Sequence, residues 1–358
     1  MKDKKSALHI SEGTENPGTF DPKLLQKFKR KKHSVEEYVQ GILHGDRILL
    51  SQAITLIESS KEEHQAAAEH IVAACLEQPH NSIRIGITGS PGVGKSTFIE
   101  SFGKLLIEKG LKVAVLAIDP SSQLTHGSIL GDKTRMQDLS VHPSAFVRPS
   151  PAGDSLGGVA RKTRETIFLC EASGFDVIII ETVGVGQSET AVHSMVDFFL
   201  LLLLPNAGDE LQGIKRGVVE MADLIAVNKS DGAAMSQAKL AKAQYQNALH
   251  LFPPKAGGWI ATAELCSGLS AMGIDLIWEK IGEFKSSMQA NGHWQQHRAE
   301  QSKYWMHESI MQHLKDLFYH HPAVLDKMQA IEQAVEEGKI SSFKAAKILL
   351  DTFLNYEL

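Results

Sequence analysis

The sequence predicts the α/β class, a mainly parallel sheet covered by helices, with further helices at both ends of the chain. Three observations carry this. Short β-branched runs alternate with helical stretches from residue 81 to residue 288. A glycine-rich loop stands between the first such run and a helical pattern. The runs are apolar throughout instead of alternating, as strands buried on both faces read.

Residues 1–30 are polar, carry acids, and read as a flexible tail running into a basic cluster, Lys27, Lys29, Arg30, Lys31 and Lys32. Residues 31–80 read as a helical N-terminal extension. Ser34 and Glu37 have capping-box spacing, and Asp46 is placed to cap a second helix with Leu50, Ile54 and Ile57 on one stripe. An Ala-rich helical stretch, Ala66 to Cys75, follows. Residues 81–288 hold the expected strands: Ile83–Ile87, Val113–Ile118, Val177–Ile180, Phe199–Leu204, Leu224–Val227 and Trp259–Ala263. Residues 289–358 turn helical again, with Ile310, Leu314 and Leu317 on one stripe and Ala346, Leu350 and Phe353 on another.

Composition excludes several classes. The 358 residues exceed one average domain. Lys plus Arg number 37 against 42 Asp plus Glu, so the net charge of −5 argues against a general nucleic-acid binder. Cys75, Cys170 and Cys266 stand far apart and form neither a disulfide framework nor a metal signature, which fits a reducing, cytoplasmic setting. The first twenty residues lack the apolar core of a signal peptide. The most apolar run, Phe198 to Leu204, is far short of the roughly 20 residues a membrane helix needs. Sixteen histidines are scattered; His293 with His297, and His320 with His321, lack partners at ligand spacing, so a metal role for either pair is disfavoured.

The strongest local signal is Gly89-Ser90-Pro91-Gly92-Val93-Gly94-Lys95-Ser96, followed by Thr97, a full GxxxxGK[ST] match between an apolar strand and a helix. Glycines let backbone N–H groups turn inward around phosphate oxygens, and the helix adds its positive end. Lys95 is the cation for β- and γ-phosphates, and the Ser96 hydroxyl is the Mg²⁺ donor. The sheet is therefore expected to be that of a P-loop NTPase. Farther along, Asp223–Asp231 reads as a buried strand ending in Asn228-Lys229-Ser230-Asp231. A carboxylate at Asp231 can accept from N1–H and the exocyclic amine of guanine, whereas adenine would leave it unpaired. Ser267-Gly268-Leu269, after Cys266, suits the loop whose amides face the guanine carbonyl. A helix cap is the alternative reading of the NKSD run.

Acids at strand ends are placed for metal and water. Asp119 ends VAVLAID and Glu181 ends VIIIE, with Gly184 placed to give its N–H to the γ-phosphate. Asp132 and Arg135 lie in a polar loop, where an exposed ion pair is the alternative. The Gly-bounded run 208–216, with Asp209, Glu210, Gln212 and Lys215, reads as either a surface turn or a nucleotide-state switch.

GSPGVGKST, AIDPSS, GSILGDKTRM, ETVGVGQSE, GDELQGIKRG and NKSD occur in that order, and together they resemble the MeaB/MMAA family of GTPases, also known as ArgK or LAO/AO transport-system proteins. The resemblance implies a SIMIBI-class G domain, a helical N-terminal extension and a C-terminal dimerisation arm, hence a homodimer. It implies GTP and GDP as ligands with Mg²⁺, slow intrinsic hydrolysis, and a role as chaperone of adenosylcobalamin-dependent methylmalonyl-CoA mutase or a related acyl-CoA mutase. By motif match, Lys95, Asp119, Asp132 and Glu181 become catalytic, with the three acids and Ser96 as Mg²⁺ residues, while Gln187 and the 208–216 run become switch elements, Lys215 reaching across an interface. Two positions depart from the family pattern: His126, where a small residue is commoner, and Gly268, where alanine is usual. A nickel metallochaperone GTPase is disfavoured because no cysteine precedes Cys75. A kinase tied to amino-acid transport is disfavoured by Asp231 and by the lack of a recognisable acceptor site.

Overall fold

The computed structural model describes residues 33–59, 61–78, 81–118, 136–150, 156–182, 188–205 and 216–355. The expected tail, 1–30, lies outside them.

Three helices open the described chain. In α1 (Val35–Leu43) the capping box is complete: the Glu37 amide donates to Ser34 Oγ at 3.2 Å, and the Ser34 amide to Glu37 Oε2 at 3.0 Å. Asp46 caps α2 (Arg47–Glu58) by accepting from the Ile48 and Leu49 amides, and Leu50, Ile54 and Ile57 are buried as one stripe. The third helix, α3 (Glu62–Leu76), buries Ala68, Ile71 and Cys75.

The sheet follows: β1 (Ile83–Gly89), β2 (Val113–Ile118), β3 (Ala145–Ser150), β4 (Val177–Thr182), β5 (Phe198–Leu203), β6 (Leu224–Val227) and β7 (Thr262–Leu265). Every neighbouring pair is parallel, in the order β3-β2-β4-β1-β5-β6-β7. Residues of β1, β2, β4, β5 and β6 are buried throughout, which is why these strands read as unbroken apolar runs. β3 is an edge strand the sequence pattern does not reveal. Pro149 interrupts its β-branched character, and an edge is where a strand proline is tolerated. β7 starts later than expected: a 3₁₀ turn, Ala256–Gly258, with Gly257 and Gly258 at positive φ, comes before it, and Trp259 and Ile260 run outside the ladder.

The connecting helices are α4 (Lys95–Glu108), α5 (Gln137–Val141), α6 (Leu156–Ala172), α7 (Ser188–His193), α8 (Arg216–Met221), α9 (Met235–Leu249) and α10 (Ile274–Ala290). On one face of the sheet, Phe98, Phe102 and Leu106 of α4 and Ile277, Ile281 and Phe284 of α10 pack on Ile83, Ile85 and Ile87. On the other, α1–α3 join α6 and α7 over Ala114, Leu116, Ile178 and Ile180, so the N-terminal helices share a core with the sheet. All three cysteines are free and buried. Among the described residues no helix is long and apolar enough to cross a membrane.

Three helices close the chain: α11 (His293–Tyr319), α12 (Pro322–Glu336) and α13 (Ser342–Leu354). The first turns of α11 are fastened to the sheet by Arg298 on Asp197, Gln301 Nε2 on the Val196 carbonyl at 2.7 Å and Trp305 Nε1 on the Ser194 carbonyl at 3.1 Å. Beyond Trp305 the helix loses that support. The expected stripe Ile310, Leu314 and Leu317 exists, but each residue is about half exposed. On α13, Ala345 and Leu349 take the buried positions while Leu350 is exposed.

Candidate functional site

Because all strands run the same way, their carboxyl ends share one edge of the sheet. Topology sends the chain to one side of β1 for β2 and β3 and to the other for β5 to β7, and ligands of open α/β sheets bind at such a reversal.

At this edge Gly89 ends β1 beside Leu202 of β5, where a Cβ would lie 2.5 Å from the Leu202 carbonyl oxygen. Gly92 and Gly94 take φ of 81° and 95°, the left-handed region glycine enters without strain. Ser90, Pro91 and Val93 complete the loop, with Pro91 and Gly92 exposed and Val93 buried. Lys95, Ser96 and Thr97 form the first turn of α4, so amides of that turn and its dipole face the loop. Lys95 Nζ donates to the Gly89 carbonyl at 2.7 Å and the Ser90 carbonyl at 3.3 Å, bridging the loop. Burial pulls the Lys95 ammonium below its usual value, opposed by the charges of Glu181 and Glu189. A phosphate anion beside it would favour the charged form.

Glu181 stands near the carboxyl end of β4, level with Ile87 of β1, and is 8 % exposed. The Ser96 hydroxyl donates to Glu181 Oε1 at 3.4 Å. One residue nearer the edge, Thr182 Oγ1 donates to Thr88 Oγ1 at 2.8 Å, tying the two strand ends together. Ser96 and Glu181 thus present hard oxygen donors side by side, the chemistry Mg²⁺ prefers. Among the described residues no three His, Cys, Asp or Glu side chains converge as a metal cage. Asp119, Asp132, Gly184, Gln187, Asp209, Glu210, Gln212 and Lys215, together with Arg135 and His126, lie outside the described residues.

The NKSD segment follows β6 and locks the site's second half. Asn228 Nδ2 donates to the Val93 carbonyl at 2.8 Å, and Asn228 Oδ1 accepts from the Gly268 amide at 2.9 Å. One side chain therefore holds the glycine loop to the loop after β7. A Cβ on Gly94 would come within 2.9 Å of Asn228 Nδ2, so glycine there also admits this clasp. Lys229, itself at a φ of 56°, donates from Nζ to the Gly92 carbonyl at 2.8 Å. Ser230 is buried, its amide on the Cys266 carbonyl and its hydroxyl on the Val227 carbonyl. Asp231 is half-buried and stands before the 3₁₀ turn Gly232–Ala234, yet its side chain makes no capping bond. The helix-cap alternative for this aspartate therefore finds no support.

The loop after β7 is bound from beneath. Ser101 of α4 donates to the Gly268 carbonyl at 2.5 Å. A Cβ on Gly268 would lie 2.8 Å from the Phe98 backbone, so glycine lets the two segments approach. Three amides here are committed: Ser267 to the Met272 carbonyl, Gly268 to Asn228 and Ser270 to Ser267 Oγ. Leu269, 84 % exposed, carries the amide between these donors. Sequence reasoning missed Glu189, 7 % exposed on α7 and close enough to raise the Lys95 ammonium, and Ser101 beneath the base loop. Glu189 lies within the GQSE run and was visible there; Ser101 had no signal.

Comparison with known proteins agrees with this geometry. The family described as methylmalonyl Co-A mutase-associated GTPase MeaB matches residues 50–323. GTPase ArgK of Escherichia coli strain K12 is 48% identical over 285 residues, covering 78% of this chain and 86% of its own. The mouse methylmalonic aciduria type A homolog, a mitochondrial protein, is 43% identical over 334 residues, covering 90% of this chain and 80% of its own. A crystal structure of a LAO/AO transport system kinase superposes with a TM-score of 0.71 at 38% identity, over 88% of this chain and 96% of that one.

Proposed function

The chain belongs to the methylmalonyl Co-A mutase-associated GTPase MeaB family, and from that premise we propose that it is the GTP-driven chaperone of an adenosylcobalamin-dependent acyl-CoA mutase, with methylmalonyl-CoA mutase as client. As a GTPase it binds guanine nucleotide and hydrolyses GTP to GDP and phosphate. One observation carries the residue assignment: Asn228 clasps the glycine loop and the base loop together while the Asp231 carboxylate is left uncapped beside them.

In this reading the Gly89–Thr97 loop wraps the phosphates with backbone amides, and Lys95 leaves the Gly89 and Ser90 carbonyls to neutralise charge developing on the transferred group. Asp231 accepts from the guanine edge, and Asn228 fixes the angle between base and phosphates. Ser96 and Glu181, with Asp119 and Asp132, hold Mg²⁺, which supplies neutralisation of the β- and γ-phosphate oxygens. Glu181 also orients the attacking water from its place near the carboxyl end of β4, beside Ser96. Gly184, Gln187, Asp209, Glu210, Gln212 and Lys215 report nucleotide state to the client. Free, buried thiols support a reducing, cytoplasmic location. The half-exposed stripe of α11 and the exposed Leu350 and Leu354 of α13 support a homodimer through the C-terminal arm.

The nucleotide motifs contain no arginine finger, so basal turnover is slow and the client accelerates it. The test is the GTP hydrolysis rate of the purified chain with and without cofactor-loaded methylmalonyl-CoA mutase. A clear rise is expected; no stimulation by any adenosylcobalamin-dependent acyl-CoA mutase would exclude the client assignment.

A further inference from the structure

A partly open pocket of about 360 Å³ lies at the amino ends of β5, β6 and β7, the opposite end of the sheet from the glycine loop. Protein interiors hold few voids larger than a water molecule, and ligand pockets start at about 300 Å³. Its walls are largely apolar and aromatic, with Phe199, Phe252, Phe284, Met288 and Trp294 among them. Its roof is deliberately shaped. Gly257, at a φ of 82°, packs where a Cβ would strike Met288 and His293, and the Asn291 side chain donates to the Gly257 carbonyl at 2.7 Å.

Two ion pairs border the pocket, and Glu220 stands at its exposed edge. Lys255 Nζ sits 2.8 Å from Asp223 Oδ1, and Arg298 holds Asp197 at 2.7 Å. Imidazoles supply further polar surface: His193, His293 and His297 all line the space, the latter two stacked with centroids 6.0 Å apart, with His297 Nε2 engaged by the Gln301 side-chain amide at 3.0 Å. Burial pushes His193 down to about 4, so at neutral pH its ring offers one N–H and one lone pair and no charge. These histidines do not form a metal cluster.

Two chain segments give the cavity its position. His193 ends α7, the helix that follows residues 181–187; Glu220 and Met221 end α8, which follows residues 208–215. We propose that the cavity binds a small uncharged molecule with an aromatic body and one hydrogen-bonding group, and that its occupant alters nucleotide release through α7 and α8. The second half rests on the reading of Gln187 and the 208–216 run as switch elements.

The test uses the full chain saturated with GDP and ligand-observed NMR with three probes of one ring system: naphthalene, 2-naphthylmethanol and 2-naphthoate. The alcohol is expected to bind more tightly than the carboxylate. His193→Phe, which keeps the ring and removes the nitrogens, should weaken the alcohol about three- to tenfold and leave naphthalene unchanged. Ile260→Trp, at the exposed rim, should weaken all three. Tighter binding of the carboxylate, or binding insensitive to both substitutions, overturns the site. Release of a fluorescent GDP analogue should change on adding the alcohol, and not in Ile260→Trp. An unchanged rate overturns the coupling, while GDP binding in the same sample checks the nucleotide reading separately.

Discussion

The two ends of the central strands are built on opposite principles. At the carboxyl end, glycines at positive φ and side chains bonded to main-chain carbonyls shape a loop; Lys95, Asn228 and Lys229 all donate to the 89–93 backbone. At the amino end, charge answers charge. Arg84 makes a two-point bond to Glu171 at 2.9 and 2.7 Å, the Ser82 hydroxyl donates to the same carboxylate, and Arg298 grips Asp197 by two nitrogens. The first end bonds its side chains to main chain and so shapes a cradle. The second pairs these charged side chains with one another, fastening α6, β1, β5 and α11 together. A site is distinguished here by whether its polar side chains hold backbone or hold each other.

That contrast can be broken in either direction. The largest effect expected is on stability, from Glu171→Ala. It strands the Arg84 cation in a buried site and takes away one of the two carboxylates facing Arg298, and unfolding by denaturant should show a loss of about 3–5 kcal/mol. Nucleotide affinity of the folded fraction should be unchanged. Burial by itself raises the Glu171 carboxyl, but hydrogen bonds and charge from Arg84, with Arg298 and Ser82, outweigh it and hold the group below 4.5. The network's contribution is thus complete above the unfolded value and is lost as pH falls through the folded one. Glu171→Gln should flatten that acid limb; an unaltered limb would assign acid lability elsewhere. Lys95→Ala should do the reverse, lowering GTP hydrolysis by about 10²–10³-fold, as loss of one charge-stabilising group does, with unfolding shifted far less than by Glu171→Ala. Equal losses of stability from both would erase the distinction between the two ends.

Legibility in the sequence follows the same divide. The carboxyl-end site is written in contiguous runs, GSPGVGKST and NKSD, because wrapping a phosphate or capping a base takes neighbouring residues on one loop. Its cross-links, Asn228 to Gly268 and Ser101 to Gly268, were not readable, since each joins elements whose separation only the fold closes. Ser82, Arg84, Glu171, Asp197 and Arg298 are likewise scattered along the chain, and each alone reads as a surface charge or a polar residue. Strands buried on both faces announced themselves by apolar runs, whereas β3, with Arg148 and Pro149, did not. Periodicity found the α11 stripe but not its exposure, because a pattern of 3.6 residues marks a face without saying what covers it.

Reading of the base remains the most direct test of the nucleotide site. Calorimetric titration of the wild-type chain and Asp231→Asn with GDP and xanthosine diphosphate separates the possibilities. The wild-type chain should bind GDP and reject the xanthine nucleotide. The variant should lose GDP affinity by about a hundredfold or more and gain xanthosine diphosphate, because the amide now donates to the xanthine carbonyl. Retained preference for GDP in Asp231→Asn would contradict the assignment of Asn228–Asp231 as the guanine-reading segment.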